Sequence, residues 1–213
     1  MKPDRRTPDK PAYWDQAKRS LARGDPVMAA IIRRHPRVHL VPRGDPFHTL
    51  ARAIVGQQIS VKAAQSVWNR LVEHVSVVSP ETLIRARTTH LRICGLSGRK
   101  CEYIRDLARR FADGKVHVHR WPQMEDEAIV EDLTQVRGIG RWTAEMFLMF
   151  NLLRPDVFPL DDLGLQQGLR LAYHGGRKVS LATLRRRGET WRPWRSVATW
   201  YLWRSLDPVP VEY

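Results

Sequence analysis

No stretch of this chain alternates polar and apolar residues at period two; its apolar residues recur at helical spacing almost throughout. A chain of that kind buries its apolar surface by packing helix on helix, so the expected fold is all-α. With 213 residues and 43% hydrophobic content it carries enough apolar material for a sizeable core, in one domain or two small ones.

The pattern predicts helices over 14–23 and 26–34, then a connection over 35–46 that carries three prolines and a glycine. A long helical pattern starts at Pro46 and turns Leu50, Ile54, Val61, Ala64, Trp68 and Leu71 toward a core. The polar insertion Gly56-Gln57-Gln58 interrupts it. Ser79-Pro80-Glu81 reads as a helix start: a capping hydroxyl, a proline in the first turn and an acid facing the dipole. Gly95 to Gly98 is a turn, and 99–112 is an amphipathic helix that puts Ile104, Leu107, Ala108 and Phe111 on one face. Further helices are expected over 125–133, 141–153, 162–173, 181–187 and 193–206.

Charge narrows the function. Lys plus Arg number 36 against 22 Asp plus Glu, a formal charge of +14, which favours a polyanionic partner. The two cysteines, Cys94 and Cys101, are too few for a four-thiolate iron–sulfur cluster or a disulfide framework, so a reducing cytoplasm is the expected compartment. No eighteen-residue apolar run is present, and the charged, proline-rich start (Met1 to Trp14) lacks the apolar stretch of a signal peptide and reads as a frayed arm.

The segment LTQVRGIGRWT, Leu133 to Thr143, reads as a helix, a tight Gly-X-Gly hairpin and a second helix. Gly138 and Gly140 permit positive φ and remove side chains that would keep a phosphate from the backbone N–H groups; Ile139 between them can plug a core. An ordinary helix–turn–helix link with a glycine cap has the same local pattern. Arg141, Thr143 and the overall charge favour the phosphate grip. Asp161-Asp162 follows about twenty residues on, a carboxylate pair beside an element built for anions. Either acid also reads as a helix N-cap.

LTQVRGIGRWTAEMF followed by DVFPLDDLGLQQGLRL resembles the helix-hairpin-helix DNA glycosylase superfamily, and within it the 3-methyladenine DNA glycosylase II (AlkA-like) branch. AIVGQQISVKAA (Ala53 to Ala64) and WRPWRSVATWYLW (Trp191 to Trp203) are similar to the same branch, so the likeness runs in order from about Asp25 to Leu206. It implies a monofunctional glycosylase of base excision repair. Such an enzyme flips 3-methyladenine and 7-methylguanine out of duplex DNA and hydrolyses the N-glycosidic bond, leaving an abasic site. The catalytic group it implies is Asp162. The residue after Gly-X-Gly-Arg is Trp142, where strand-cutting relatives hold a lysine. Its base pocket would comprise Trp142, Met146, Leu163 and Trp203, with Trp203 stacking on the base. The best-known relative has tyrosines in place of Met146 and Leu163. Phe150, Trp194 and Trp200 read as core.

The resemblance assigns DNA contact to Gln57, Gln58, Gly138, Ile139, Gly140, Arg141 and Thr143, with Gln58 as the wedge that fills the gap left by the flipped base. It requires no cofactor. It implies a possible Na+ or K+ at the hairpin, held by the backbone carbonyls of Thr134, Val136 and Ile139. His117, His119 and the two cysteines have poor spacing for zinc, and Arg185-Arg186-Arg187 reads as a solvated basic patch. Two helical subdomains are expected, residues 1–46 with 156–213 and residues 47–155, with the active site in a cleft between them. The mixed α/β domain that precedes them in longer relatives is not expected, and a monomer is the simplest assembly. The alternatives are a non-catalytic helix-hairpin-helix module that only binds DNA, or a glycosylase for a different base lesion.

Overall fold

A computed structural model describes residues 10–206. Of the expected frayed arm, residues 1–9 lie outside the described residues. Among the described residues there are twelve α-helices and no strand. They are α1 (Trp14–Gly24), α2 (Pro26–Arg34), α3 (Pro46–Gly56), α4 (Val61–Val75), α5 (Pro80–Arg85), α6 (Thr88–Ile93), α7 (Gly98–Ala112), α8 (Asp126–Thr134), α9 (Arg141–Phe150), α10 (Leu163–His174), α11 (Leu181–Glu189) and α12 (Arg195–Leu206). A 3-10 turn over Val118–Gln123 precedes α8.

The starts of these helices are written in the sequence. Asp25, Asp45, Ser60, Ser79, Ser97, Asp162 and Ser180 each accept a backbone N–H in the first turn of the helix they precede. Proline follows at once in three of them, Pro26, Pro46 and Pro80, where a missing N–H costs nothing. At Ser79 the cap is reciprocal, since the Thr82 hydroxyl accepts the Ser79 N–H at 3.0 Å.

The structure departs most from the sequence reading at two places. The expected helix over 141–153 ends at Phe150. Leu153 takes a φ of 53°, and the Arg154 N–H reaches back to the Leu148 carbonyl at 2.9 Å, which closes the chain before Pro155. The segment before α7 holds a short extra helix, α6, whose six residues are too few to show a periodic face.

The chain divides into two compact units: residues 10–42 with 148–206, and residues 43–147, the second division falling inside α9. The first unit packs α1, α2 and α10–α12 around Trp14, Met28, Leu165, Leu169, Trp191 and Tyr201, all buried. Its keystone is Asp25. One carboxylate oxygen accepts the Val27 and Met28 N–H groups at 3.0 Å each. The other accepts the Tyr173 hydroxyl at 2.8 Å and the Trp191 indole N–H at 3.1 Å. Burial works against that charge. The hydrogen bonds from Met28, Trp191 and Tyr173, with the nearby Arg187 cation, outweigh it and hold the carboxyl below its ordinary range. The second unit holds α3–α8 and most of α9 around Leu50, Ile54, Leu71, Ile104, Leu107, Trp121 and Phe147. No helix among the described residues is long and apolar enough to cross a membrane.

Candidate active site and nucleic-acid interface

In the second unit α8 runs to Thr134 and α9 starts at Arg141, so residues 135–140 form the hairpin turn. Its two glycines do different work. Gly138 has a φ of 85°, and a Cβ there would lie 2.2 Å from the Tyr103 ring, so both backbone and space demand glycine. Gly140 has no positive φ and nothing within 4 Å of where a Cβ would stand. Of the two glycines that permit a positive φ, only Gly138 uses it. Gly140 is the N-cap of α9, its carbonyl accepting the Ala144 N–H at 3.0 Å, and its missing side chain leaves the helix end clear. The first N–H groups of a helix lack intrahelical acceptors and carry the positive end of its dipole, which is an anion site. Ile139 is buried.

The side chains at this end divide. Arg141 is half-exposed and its guanidinium lies on Glu127, with Nη1 to Oε2 at 3.1 Å, and 3.7 Å from Glu145. Thr143 is buried, so what it can give a phosphate is its backbone N–H rather than its hydroxyl. Trp142 is 36% exposed, whereas Met146, one turn on, is buried.

Between α3 and α4 the polar insertion forms a sharp bend. Gln58 has a φ of 58° and is exposed, and Ile59 and Val61 beside it are exposed apolar residues. Gln57 turns inward: its side-chain amide donates to the Gly138 carbonyl at 2.7 Å. The side-chain amide that the resemblance assigns to DNA contact thus lies on the hairpin. The ammonium of Lys100, on α7, donates to the carbonyls of Val55 and Gln57 at 2.8 Å each. Burial pulls that amine below its ordinary value.

In the first unit Asp162 caps α10. Its carboxylate is buried, and Oδ1 accepts the Leu165 N–H at 2.7 Å and the Trp203 indole N–H at 2.9 Å. Two donors on one oxygen set the rotation of the carboxylate. Trp203 is itself held by a stack on Phe150, with centroids 5.9 Å apart and planes 11° apart. A Cβ at Gly164 would come within 3.1 Å of Asp162 Oδ1 and 3.4 Å of the Trp203 ring, so glycine leaves room for that pair. Asp161 is exposed, and Leu163 is 78% exposed beside the carboxylate. Of the two adjacent acids, only Asp162 is built into a polar framework of this kind.

The remaining candidates sort by their partners. His117 meets Asp132 at 2.9 Å, and the Trp121 indole N–H joins the same carboxylate at 3.1 Å. Among the described residues no group of three or more His, Cys, Asp or Glu could hold a metal ion. In the hairpin the Val136 carbonyl accepts the Ile139 N–H at 3.1 Å, which leaves a second lone pair. Carbonyl oxygens of this sort suit an alkali ion. Phe150 and Trp200 are buried, and Trp194 stacks on Tyr13 at 5.9 Å. In the basic triplet Arg185 and Arg186 are exposed. Arg187 departs from the expected solvated patch, lying 4.5 Å over the Tyr173 ring and 3.9 Å from Asp25. The sequence reading missed Lys100, Tyr103, Asp106 and Gly164. The first three recur every third residue of α7, a stripe visible in the sequence without any sign of what it meets.

Comparison with known proteins sets this geometry in context. Residues 51–193 match the HhH-GPD family, described as a superfamily of base excision DNA repair proteins. The chain is 33% identical over 165 residues to DNA-3-methyladenine glycosylase 1 of Schizosaccharomyces pombe, a match that spans 76% of this chain and 72% of that protein. It is 32% identical over 188 residues to a putative DNA-3-methyladenine glycosylase of Bacillus subtilis, spanning 84% of this chain and 66% of the relative. Among solved structures, the S. pombe 3-methyladenine DNA glycosylase in complex with abasic DNA superposes with a TM-score of 0.77 at 28% identity, over 92% of this chain and all of that one.

Proposed function

This chain belongs to the HhH-GPD superfamily of base excision DNA repair proteins, and we propose that it is a monofunctional DNA glycosylase acting on alkylated bases in duplex DNA. Its substrates on this reading are 3-methyladenine and 7-methylguanine, and its product is an abasic site. The observation that carries the reading is the framework around Asp162: a buried carboxylate at a helix N-terminus, its rotation set by Leu165 and Trp203, inside the matched segment.

The chemistry asks for such a group. N3-methyladenine and N7-methylguanine are cationic in DNA. The C1′–N bond breaks with its electron pair going to the base, which leaves neutral, and positive charge develops on the sugar as an oxocarbenium-like ion. Asp162 supplies the negative charge that stabilises it, and water then adds at C1′ and loses its proton to the carboxylate or to solvent. A leaving group that is already charged needs no strong general acid. Trp142 is 36% exposed, and indoles attract cationic bases by roughly 0.5–2 kcal/mol. No amine stands at position 142 to form a Schiff base with the sugar, so the strand stays intact.

The clear N-terminus of α9 binds a phosphate, the exposed bend at Gln58 enters the stack, and the excess of basic residues supplies the general attraction to DNA. An alkali ion on the carbonyls of Thr134, Val136 and Ile139 would add positive charge beside that phosphate.

The test is base release from methylated duplex DNA by wild type and Asp162→Asn. Asparagine caps helices as well as aspartate, so the fold is retained. The expected loss in single-turnover rate is at least about a hundredfold, with duplex affinity retained and the wild-type product strand intact until treated with alkali. Absence of released 3-methyladenine and 7-methylguanine from the wild type would overturn the reading.

A further inference from the structure

The proposed DNA interface has two parts that are far apart in sequence, the bend at 57–60 and the hairpin turn at 135–140. Both are tied to the same stripe of α7. Lys100 holds the bend through the carbonyls of Val55 and Gln57. Those are the carbonyls that the C-terminal end of α3 leaves without helical partners, at the negative end of its dipole, so an ammonium there satisfies both demands. One turn on, the Tyr103 ring lies against Gly138 so closely that no Cβ fits between them. A further turn on, Asp106 accepts the Arg137 N–H at 2.8 Å, and Arg110 steadies the same carboxylate at 3.0 Å. Residues 100, 103 and 106 share one face of a helix. Gln57 closes the figure by reaching directly from the bend to the Gly138 carbonyl at 2.7 Å. On its far side the bend is pinned by Ser60, whose hydroxyl caps α4. The tip of the bend is Gln58 and Ile59, both exposed.

We infer that Gln57 and Lys100 are positioning residues for base extrusion: they brace the intruding bend against the phosphate-gripping hairpin, so that gripping the backbone sets the depth at which Gln58 and Ile59 enter the duplex. A wedge works only against a fixed support. Unstacking a paired base costs a few kcal/mol, and a wedge free to recoil would move instead of the base. The inference rests on the glycosylase reading for its chemistry, and on the geometry of one unit for its mechanics.

The variants are Gln57→Ala and Lys100→Met, with Lys100→Arg as the version that keeps donors in place. Single-turnover release of 7-methylguanine is measured from a fully paired duplex and from a duplex that carries the lesion in an unpaired bulge, where little extrusion work is needed. The expected result is a loss of about tenfold on the paired substrate, as one lost hydrogen bond allows, with near wild-type release from the bulge. Lys100→Arg recovers most of the loss. A second measurement follows 2-aminopurine fluorescence opposite an abasic site, at saturating protein. The variants are expected to unstack the probe less than wild type while binding undamaged duplex equally. Equal losses on paired and bulged lesions, or none on either, overturn the inference. If wild type releases base from neither substrate, the glycosylase reading fails. The fluorescence difference then decides the brace by itself, and its absence overturns it.

Discussion

At the scale of the residue, Asp162 and Trp203 are one device. The indole N–H and the Leu165 N–H both end on Oδ1, and the indole is held in turn by its stack on Phe150. The resemblance assigned Trp203 to stacking on a base, and the structure adds a hydrogen bond to the proposed catalytic carboxylate. Trp203→Phe tests the bond apart from the ring: phenylalanine can still stack on Phe150 but donates nothing. Single-turnover kinetics on methylated duplex are expected to show about a tenfold slower chemical step with affinity little changed. An unchanged rate would show that the indole hydrogen bond does not orient the carboxylate. The place of Asp162 at a helix start was legible in the sequence because a cap is local. Trp203 as its hydrogen-bond partner was not, because forty-one residues separate the two and no periodicity joins them.

At the scale of the element, the hairpin shows how one motif hides two requirements. Gly138 is demanded by its φ of 85° and by Tyr103, whereas Gly140 has ordinary backbone and open space. Alanine at position 138 must strain the backbone and displace a ring, so Gly138→Ala is expected to cost roughly 2–3 kcal/mol in urea unfolding. Gly140→Ala is expected to change stability by less than about 1 kcal/mol but to weaken duplex binding, because its methyl stands at the proposed phosphate site. A Gly140→Ala protein that binds duplex as well as wild type would remove that phosphate from the interface. From sequence the two glycines look alike; the backbone turn at Gly138 and the neighbour supplied by α7 separate them. The same holds for Arg141, which the sequence reading gives to the phosphate grip and whose guanidinium lies against Glu127 and Glu145 in the structure.

At the scale of the molecule, the buried Asp25 joins the start of α2 to Tyr173 and Trp191, and so ties the N-terminal helices to the C-terminal ones. Its carboxyl titrates below the ordinary range in the folded state, so its contribution is present above the unfolded value near pH 4. It is lost as the pH falls through the folded value. Urea unfolding of wild type and Asp25→Asn across acid pH checks this. Asp25→Asn is expected to be less stable by roughly 2 kcal/mol at neutral pH, with the gap narrowing below about pH 4. The sequence by itself determined the all-α class, most helix boundaries through their caps and prolines, the hairpin, and a capping acid at the start of α10. All of these depend on residues within a few positions of one another. The tertiary structure alone decided that Gln57 donates to the hairpin, that Lys100, Tyr103 and Asp106 meet the bend and the turn, that Arg187 lies beside Asp25, and that Trp203 donates to Asp162. Those contacts join segments tens of residues apart, and a hydrogen bond between distant segments leaves no period or spacing in the chain from which it could be read.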